Sequence, residues 1–461
     1  MDSATATATT ATATSATATD EGSRPTATLP IGQLIRLSIY WLGLSSIFAG
    51  LHDILTGRLQ FEGLVTKGHE GEALLQLTIF GAIIAMAVQP TVGSISDYSV
   101  SRWGRRKPYI FIGSILDVIF LYGIASSHAL IAIAAFVVLL QFSSNFAQGP
   151  FQGYVPDLVP AHQVGLASAL VGLMQVLGNV AGFAIGALAI KYNQFFLGTI
   201  SLGVLEVVTM LSVVIRVNEG KAPKSREGRS WLSVAQEAWG TDILRERSFL
   251  FLVASRLFVL MGGAALVQLS TFYLAQSHAL NQADTGTTQL IVLAVITVGS
   301  LLSVIPAARM SDRVGRKKVI YTSCLFGASG MTITALAPNI PVALVGVALF
   351  GISAGVFLAV DWALMTDIIP KASSGRYMGM SNVATASAGI LALAICGRLV
   401  MDPVNQALGY GLGPRVAFLV GVSFFVLGAL FLWPVDERRR EDVPLPEPTP
   451  LPTPAEAPAT T

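Results

Sequence analysis

Twelve apolar segments, each about as long as a bilayer is thick, constrain this chain more than any other feature. They run approximately over 34–56, 73–95, 108–127, 129–154, 164–190, 194–216, 249–275, 287–308, 318–337, 341–366, 377–399 and 414–434. About 20 apolar residues cross the roughly 30 Å hydrocarbon layer as a helix, and a helix satisfies its own backbone polar groups there. The expected fold class is an all-α membrane protein with twelve transmembrane helices. Charged residues make up only 12% of the 461, against about 25% in a soluble domain, which is too little charge to coat a globule of this size. The two cysteines, Cys324 and Cys396, both lie inside apolar runs, so no disulfide framework or thiolate metal cluster is expected.

The longest polar stretch between spans, Arg216 to Ser248, divides them six and six. This gives five regions: an Ala/Thr-rich disordered tail (1–30), a six-helix half (31–216), a linker (217–248), a second six-helix half (249–435) and a Pro-rich tail (436–461). The first tail lacks the basic and apolar regions of a secretory signal. Lys and Arg placement sets the orientation. With the N-terminus inside, 23 basic residues fall in inner loops and tails and 5 in outer loops. That bias predicts a multi-pass protein of the cell membrane with both termini cytoplasmic. The linker segment Trp231 to Trp239 reads as a short amphipathic helix on the membrane surface.

A charged turn appears twice. Gly93 to Pro108 contains Asp97, Arg102, Gly104, Arg105, Arg106 and Lys107; Ala308 to Lys318 contains Asp312, Arg313, Gly315, Arg316 and Lys317. Gly104 recurs as Gly315 after 211 residues, and Asp157-Leu-Val-Pro160 recurs as Asp367-Ile-Ile-Pro370 after 210. Two landmarks at one offset indicate a parallel repeat: two pseudo-symmetric six-helix halves with a solute site near the midplane between them.

The repeated turn resembles the signature between spans 2 and 3 and between spans 8 and 9 of the major facilitator superfamily. The longer first copy, with Asn145 to Asp157 and Asp361 to Asp367, is similar to the glycoside–pentoside–hexuronide:cation symporters and the sucrose-transporter-like proteins near them. Ala308 departs from the usual Gly. The resemblance implies the major facilitator fold, a cavity lined by spans 1, 4, 7 and 10, and a gating role for Asp97, Arg105, Arg106, Asp157, Asp312, Arg316 and Asp367. In that role the acids and bases latch helix ends in one conformation and part in the other. The alternative for the same residues is positive-inside topology alone.

Polar side chains inside spans are costly and face a cavity or a neighbouring helix. Gln141, Asn145, Gln148 and Gln152 share one face of span 4, an uncharged donor and acceptor stripe suited to a polyhydroxylated solute. Gln175 and Asn179 repeat the spacing in span 5, and Trp362 either offers a face to a sugar ring or packs within the helix bundle. Arg256 in span 7 and Asp361 in span 10 lie at similar depth and are expected to pair, with either a substrate-linked or a structural role. Sodium-coupled members of the resembled group carry paired acids in span 2; segment 73–95 has none, so a proton is the expected coupling ion. Asp53 is the first candidate carrier, followed by Asp117 and Glu206, for which helix contact is the alternative.

No phosphate loop, catalytic triad spacing or His/Cys metal cluster is present, so no enzyme and no cofactor are expected. The basic clusters lack interleaved aromatics, which argues against nucleic acid. The expected partners are a small-molecule solute, a coupling proton and the lipid bilayer, with the chain acting as a monomer. These features predict a secondary active transporter, a proton-coupled symporter of a sugar or glycoside working by alternating access. The alternatives are a drug or metabolite exporter of the same superfamily, and a non-transporting receptor or scaffold on this fold.

Overall fold

The computed structural model describes residues 27–97, 101–160, 163–217, 219, 247–368, 384–385 and 387–435. The side chains of Asp97, Asp312, Trp362 and Asp367, residues 1–26 of the first expected tail, the whole of the second and the Trp231–Trp239 segment lie outside the described residues.

Among the described residues, twelve helices are long and apolar enough to cross a bilayer: α1 Ile31–Phe61, α2 Glu70–Gly93, α3 Lys107–Ser126, α4 Leu130–Gln152, α5 Leu166–Tyr192, α6 Phe195–Arg216, α7 Arg247–Ser277, α8 Gln282–Ser311, α9 Arg316–Leu336, α10 Ile340–Asp361, α11 Ser387–Ala407 and α12 Gly413–Leu432. Proline in the first turn of α3 and α12 sits where its missing N–H costs nothing. Asn281 caps α8 by accepting from the Asp284 amide at 2.9 Å, which carries that helix outward past its apolar window. The helices show Ile131, Leu197, Val204, Leu301, Leu325 and Leu430 to their surroundings. Apolar surface on that scale fits hydrocarbon and not water.

Several boundaries differ from the sequence reading by a few residues. α7 is already helical at Arg247, inside the expected linker, and α11 continues past the expected end at 399 to Ala407, with a π-helical stretch at Leu393–Met401. The polar residues that close the apolar window, Arg398 and Asp402, do not end the helix because each meets a partner on α2.

Neighbour relations repeat between the halves. α1 packs on α5 and α6, α2 on α4, and α3 on α4 and α6; correspondingly α7 packs on α12, α8 on α10, and α9 on α10 and α12. The principal contacts between halves are α2 with α11 and α5 with α8, and these two pairs exchange under the same pseudo-two-fold. The turns that carry the charged motif also match: Gly104 (φ 116°) and Gly315 (φ 102°) both take a left-handed backbone, which explains a glycine at each repeat.

An even number of spans leaves both described chain ends on one side, here the terminal end. Hydrogen bonds joining the halves cluster at the opposite, far end. Asp402 on α11 accepts from the Gly71 and Glu72 amides at 3.0 and 2.6 Å, capping the N-terminus of α2 from the other half. Gln406 donates to the Gly68 carbonyl (2.8 Å), Tyr410 to Glu70 (2.9 Å), and Gln276 to Gln60 (2.8 Å). Gly71 lies so close to Gly397 that a Cβ there would stand 2.6 Å from its carbonyl carbon. The far end is closed in this structure.

Candidate functional site

Beneath that closure a cavity of about 270 Å³ lies between the halves, lined by Phe48, Ala49 and His52 of α1, Asn179 and Phe183 of α5, and Val267 and Gln268 of α7. Its volume is near the lower end of small-molecule sites. Two amides, an imidazole and two phenyl rings give it hydrogen-bonding capacity and apolar faces without a fixed carboxylate. The His52 Nε2 is 3.3 Å from the Gln268 carbonyl, and the Gln268 amide donates to Gly389 at 3.1 Å, so this wall crosses from one half to the other. Of the sequence candidates, Asn179 lines this cavity.

The span 4 amides sit elsewhere. Asn145 is buried and donates to the Gln141 carbonyl of its own helix at 2.7 Å, while Gln141 packs over Gly81 of α2. Gln148 is half-buried and Gln152 exposed towards the terminal end of α4; Gln175 is half-buried on α5.

The acids separate into two environments. Asp53, next to His52, is 1% exposed, and its Oδ2 is sealed from solvent without a hydrogen-bond partner. Asp117 and Glu206 instead face one another inside the first half. Ser143 and Ser144 of α4 donate to Asp117, the latter at 2.7 Å, and Tyr40 of α1 donates to Glu206 at 3.0 Å while lying 2.6 Å from the Ser114 hydroxyl. That network joins α1, α3, α4 and α6 away from the cavity. In the second half Arg256 and Asp361 form the expected pair, both nearly buried, with Thr385 bonded to the guanidinium at 3.2 and 3.3 Å.

At the terminal end, Arg105 and Arg106 both bind Asp157, Arg106 at 2.9 Å, and Arg106 also donates to the Pro150 carbonyl at 3.1 Å. Glu219, beyond α6, completes this knot. It accepts from the Arg106 and Lys107 amides at 3.0 and 2.9 Å, capping α3, and from the Tyr154 hydroxyl at 2.7 Å. Burial, and then the Glu219 charge, push the Tyr154 phenol well above its ordinary range, so it stays a donor. In the second copy Arg316 donates to Ser311 at 2.7 Å.

The family model of the Major Facilitator Superfamily matches residues 39–392 and again 276–459. The chain belongs to the Major Facilitator Superfamily. Among superfamily relatives, the rice (Oryza sativa subsp. japonica) sucrose transport protein SUT1 is 30% identical over a match covering 29% of this chain and 33% of that protein. The Arabidopsis thaliana sucrose transport protein SUC3 is 31% identical over 25% and 23%, and human solute carrier family 45 member 4 is 31% identical over 28% and 18%. The chain thus spans about a third or less of the length of these curated relatives. A bacterial homologue of the human lysosomal transporter Spinster, in an inward-facing and occupied conformation, superposes with a TM-score of 0.68 at 15% identity, covering 88% of this chain and 96% of that one. The nucleoside transporter NupG superposes at 0.63 with 15% identity, covering 87% and 98%. At such identity these two bear on the fold.

Several residues that structure the facilitator halves carried little sequence signal. Asp402 is followed by Pro403, a pair that favours a helix start, yet its target is 330 residues away. Glu219 sits in a loop, and only the geometry shows that its two oxygens reach α3. Gln268 and Gln289 are single amides in apolar runs without a stripe to reveal them.

Proposed function

We propose that this protein is a secondary active transporter that imports a sugar or glycoside together with a proton by alternating access. The observation that carries the reading is the cavity between the halves, lined by amides, an imidazole and phenyl rings, with the buried Asp53 carboxyl one residue behind its wall. Neutral hydroxyl-rich solutes need paired donors and acceptors and an apolar ring face, and that lining supplies both. Relatives named as sucrose transport proteins support the substrate class. A closed far end fits one of the two end states that such a cycle requires.

The proposed orientation puts both chain ends and the two charged turns in the cytoplasm of a cell-membrane monomer, so the far end faces outside. The acids of α2 do not offer a sodium site in this arrangement. Glu70 is bound by Tyr410 and the Gly68 amide, and Glu72 by Arg398. A buried carboxyl that loads and releases one proton is the simpler coupling device, and Asp53 takes that role here. Arg105, Arg106 and Asp157, with their second-half counterparts, act as the cytoplasmic latch.

The test is uptake of labelled mono- and disaccharides into proteoliposomes under an imposed pH or sodium gradient. Uptake driven by inward protons and abolished in Asp53→Asn is the expected result. Sugar uptake driven by sodium refutes the coupling assignment, and no sugar movement under either gradient refutes the substrate class.

A further inference from the structure

α1 and α7 are both 31 residues long, and residues 216 apart hold equivalent places in them. Among the described residues, three polar contacts join the two helices, and each joins equivalents or near-equivalents. His52 Nε2 lies 3.3 Å from the Gln268 carbonyl, the Thr56 and Thr271 hydroxyls are 3.4 Å apart, and Gln276 donates to Gln60 at 2.8 Å, across separations of 216, 215 and 216 residues. Residues related by a two-fold meet one another only at its axis. The three contacts stand one helical turn apart on α1 and mark the pseudo-two-fold. They run inward from the far-end closure and stop at the cavity, whose wall contains His52 and Gln268.

The wall that α1 shares with α5 is fixed. A Cβ at Gly182 would stand 2.3 Å from the Ser46 carbonyl oxygen, and one at Gly178 would stand 2.4 Å from that of Leu42. Phe48, Asn179 and Phe183 therefore keep their places around His52 when the halves part, and the contact with α7 is the one that breaks. A carbonyl oxygen only accepts, so Nε2 of His52 carries the proton. The cavity lining holds no carboxylate, and an unpaired imidazolium there would be costly, so the ring is neutral and Nδ1 is an acceptor. Among the described residues Nδ1 has no hydrogen-bond partner, yet it is not sealed from solvent as the Asp53 Oδ2 is; it opens on the cavity. The Asn179 amide is likewise uncommitted among the described residues. A solute hydroxyl thus finds an acceptor in His52 and both a donor and an acceptor in Asn179, beside two phenyl rings. The two nitrogens of His52 also act on each other. At 3.3 Å the bond to Gln268 is just beyond the usual N–H···O range of about 2.7–3.2 Å. A hydroxyl that donates to Nδ1 polarises the ring and makes the Nε2–H a stronger donor.

We propose that His52 couples solute recognition to closure: its Nδ1 accepts from a hydroxyl of the bound solute while its Nε2–H donates to the Gln268 carbonyl across the pseudo-two-fold axis. The inference rests on the sugar reading of the cavity and is independent of the coupling ion. A solute without a hydroxyl at that place can enter the cavity but leaves the bond between the halves weak, so specificity is expressed at closure.

The experiment measures binding and far-end closure separately, using labelled sucrose and glucose as probes. Spin labels on Thr66→Cys and Leu408→Cys, both exposed, report the inter-half distance in nanodiscs as sugar is added, with Cys324 and Cys396 replaced by Ala. In the parent the closed fraction rises with sugar. His52→Gln puts an amide N–H in the Nε2 place and no acceptor in the Nδ1 place; it closes without sugar as the parent does, and its half-closing sugar concentration rises about tenfold, the equivalent of one hydrogen bond. His52→Asn puts a carbonyl oxygen in the Nδ1 place and no donor in the Nε2 place; it still binds labelled sugar but closes no further on binding. A purely structural role for His52 would move both variants alike. A His52→Gln protein that responds to sugar as the parent does, or a His52→Asn protein that closes normally on binding, overturns the assignment. A parent that binds neither sugar overturns it together with the substrate class. Variants that behave as expected, in a protein whose uptake is driven by sodium, support His52 and refute only the proton coupling.

Discussion

Asp402 should be the strongest single fastening of the far end. Its carboxylate accepts the Gly71 and Glu72 amides at 3.0 and 2.6 Å and sits at 3% exposure against the N-terminus of α2. Loss of an acidic cap costs about 0.5–2 kcal/mol, and the charge at the positive helix end adds about 0.3–1 kcal/mol. Because the cap comes from the opposite half, both contributions exist only when the far end is closed. Asp402→Ala should therefore shift the closed–open equilibrium by about 1–3 kcal/mol, a factor of about 5–150. The neighbouring Arg398–Glu72 pair is 53% and 30% exposed, and exposed pairs are worth about 0–1 kcal/mol, so Arg398→Ala should do little. The assay uses Thr271→Cys, whose side chain lies 3.4 Å from Thr56 and is 1% exposed beneath the closure, with Cys324 and Cys396 replaced by Ala. A membrane-impermeant maleimide added on the far side should label Asp402→Ala at least fivefold faster than the parent. Equal rates, or an equal gain from Arg398→Ala, would refute the reasoning.

Three further outcomes follow from the same geometry. Arg256→Met leaves the Asp361 carboxylate buried without its cation and should cost about 3–5 kcal/mol, seen as a lower Tm in detergent. Arg256→Met with Asp361→Leu should recover most of that loss, since well-packed apolar residues can replace a buried pair. Glu219→Ala removes the cap of α3 and should cost about 1 kcal/mol in thermal stability, with a smaller loss in Glu219→Gln, which keeps one acceptor oxygen. Gly71→Val places a side chain against the Gly397 backbone, 2.6–2.9 Å away at Cβ, so the far end cannot close and the Thr271→Cys label should react rapidly from that side.

The helices were legible because each crossing must satisfy its own backbone in hydrocarbon, which forces a long apolar run that no other element requires. The repeat was legible for a related reason: Gly104 and Gly315 answer the same left-handed turn, so the same residue recurs. The Arg256–Asp361 pair could be read because two costly charges lay at matching depth. The contacts between halves could not be read. Asp402 and Gly71 are separated by 331 residues, and their meeting depends on how two six-helix bodies face each other, which leaves no periodicity in either helix. The amide stripe of α4 shows the opposite limit. Helical spacing correctly puts Gln141 and Asn145 together, but Asn145 donates back to its own helix, a choice that spacing cannot predict. Asp53 stood out as an acid in an apolar run, whereas Gln268, a single amide in such a run, drew no notice until the fold set it in the cavity wall.

The pseudo-two-fold makes the division of labour between the two inter-half contacts informative. α2 with α11 and α5 with α8 are equivalent positions of the repeat, and both close over glycine: Gly71 against Gly397 in one, Gly286 against Ala187 and Lys191 in the other. Close backbone approach is thus the shared framework, since a Cβ at either site would meet backbone. What differs is the polar group placed beside each crossing. The α2–α11 contact carries a carboxylate already satisfied by two amides. The α5–α8 contact lies next to the buried Asp53, whose stem packs on Gly186 of α5.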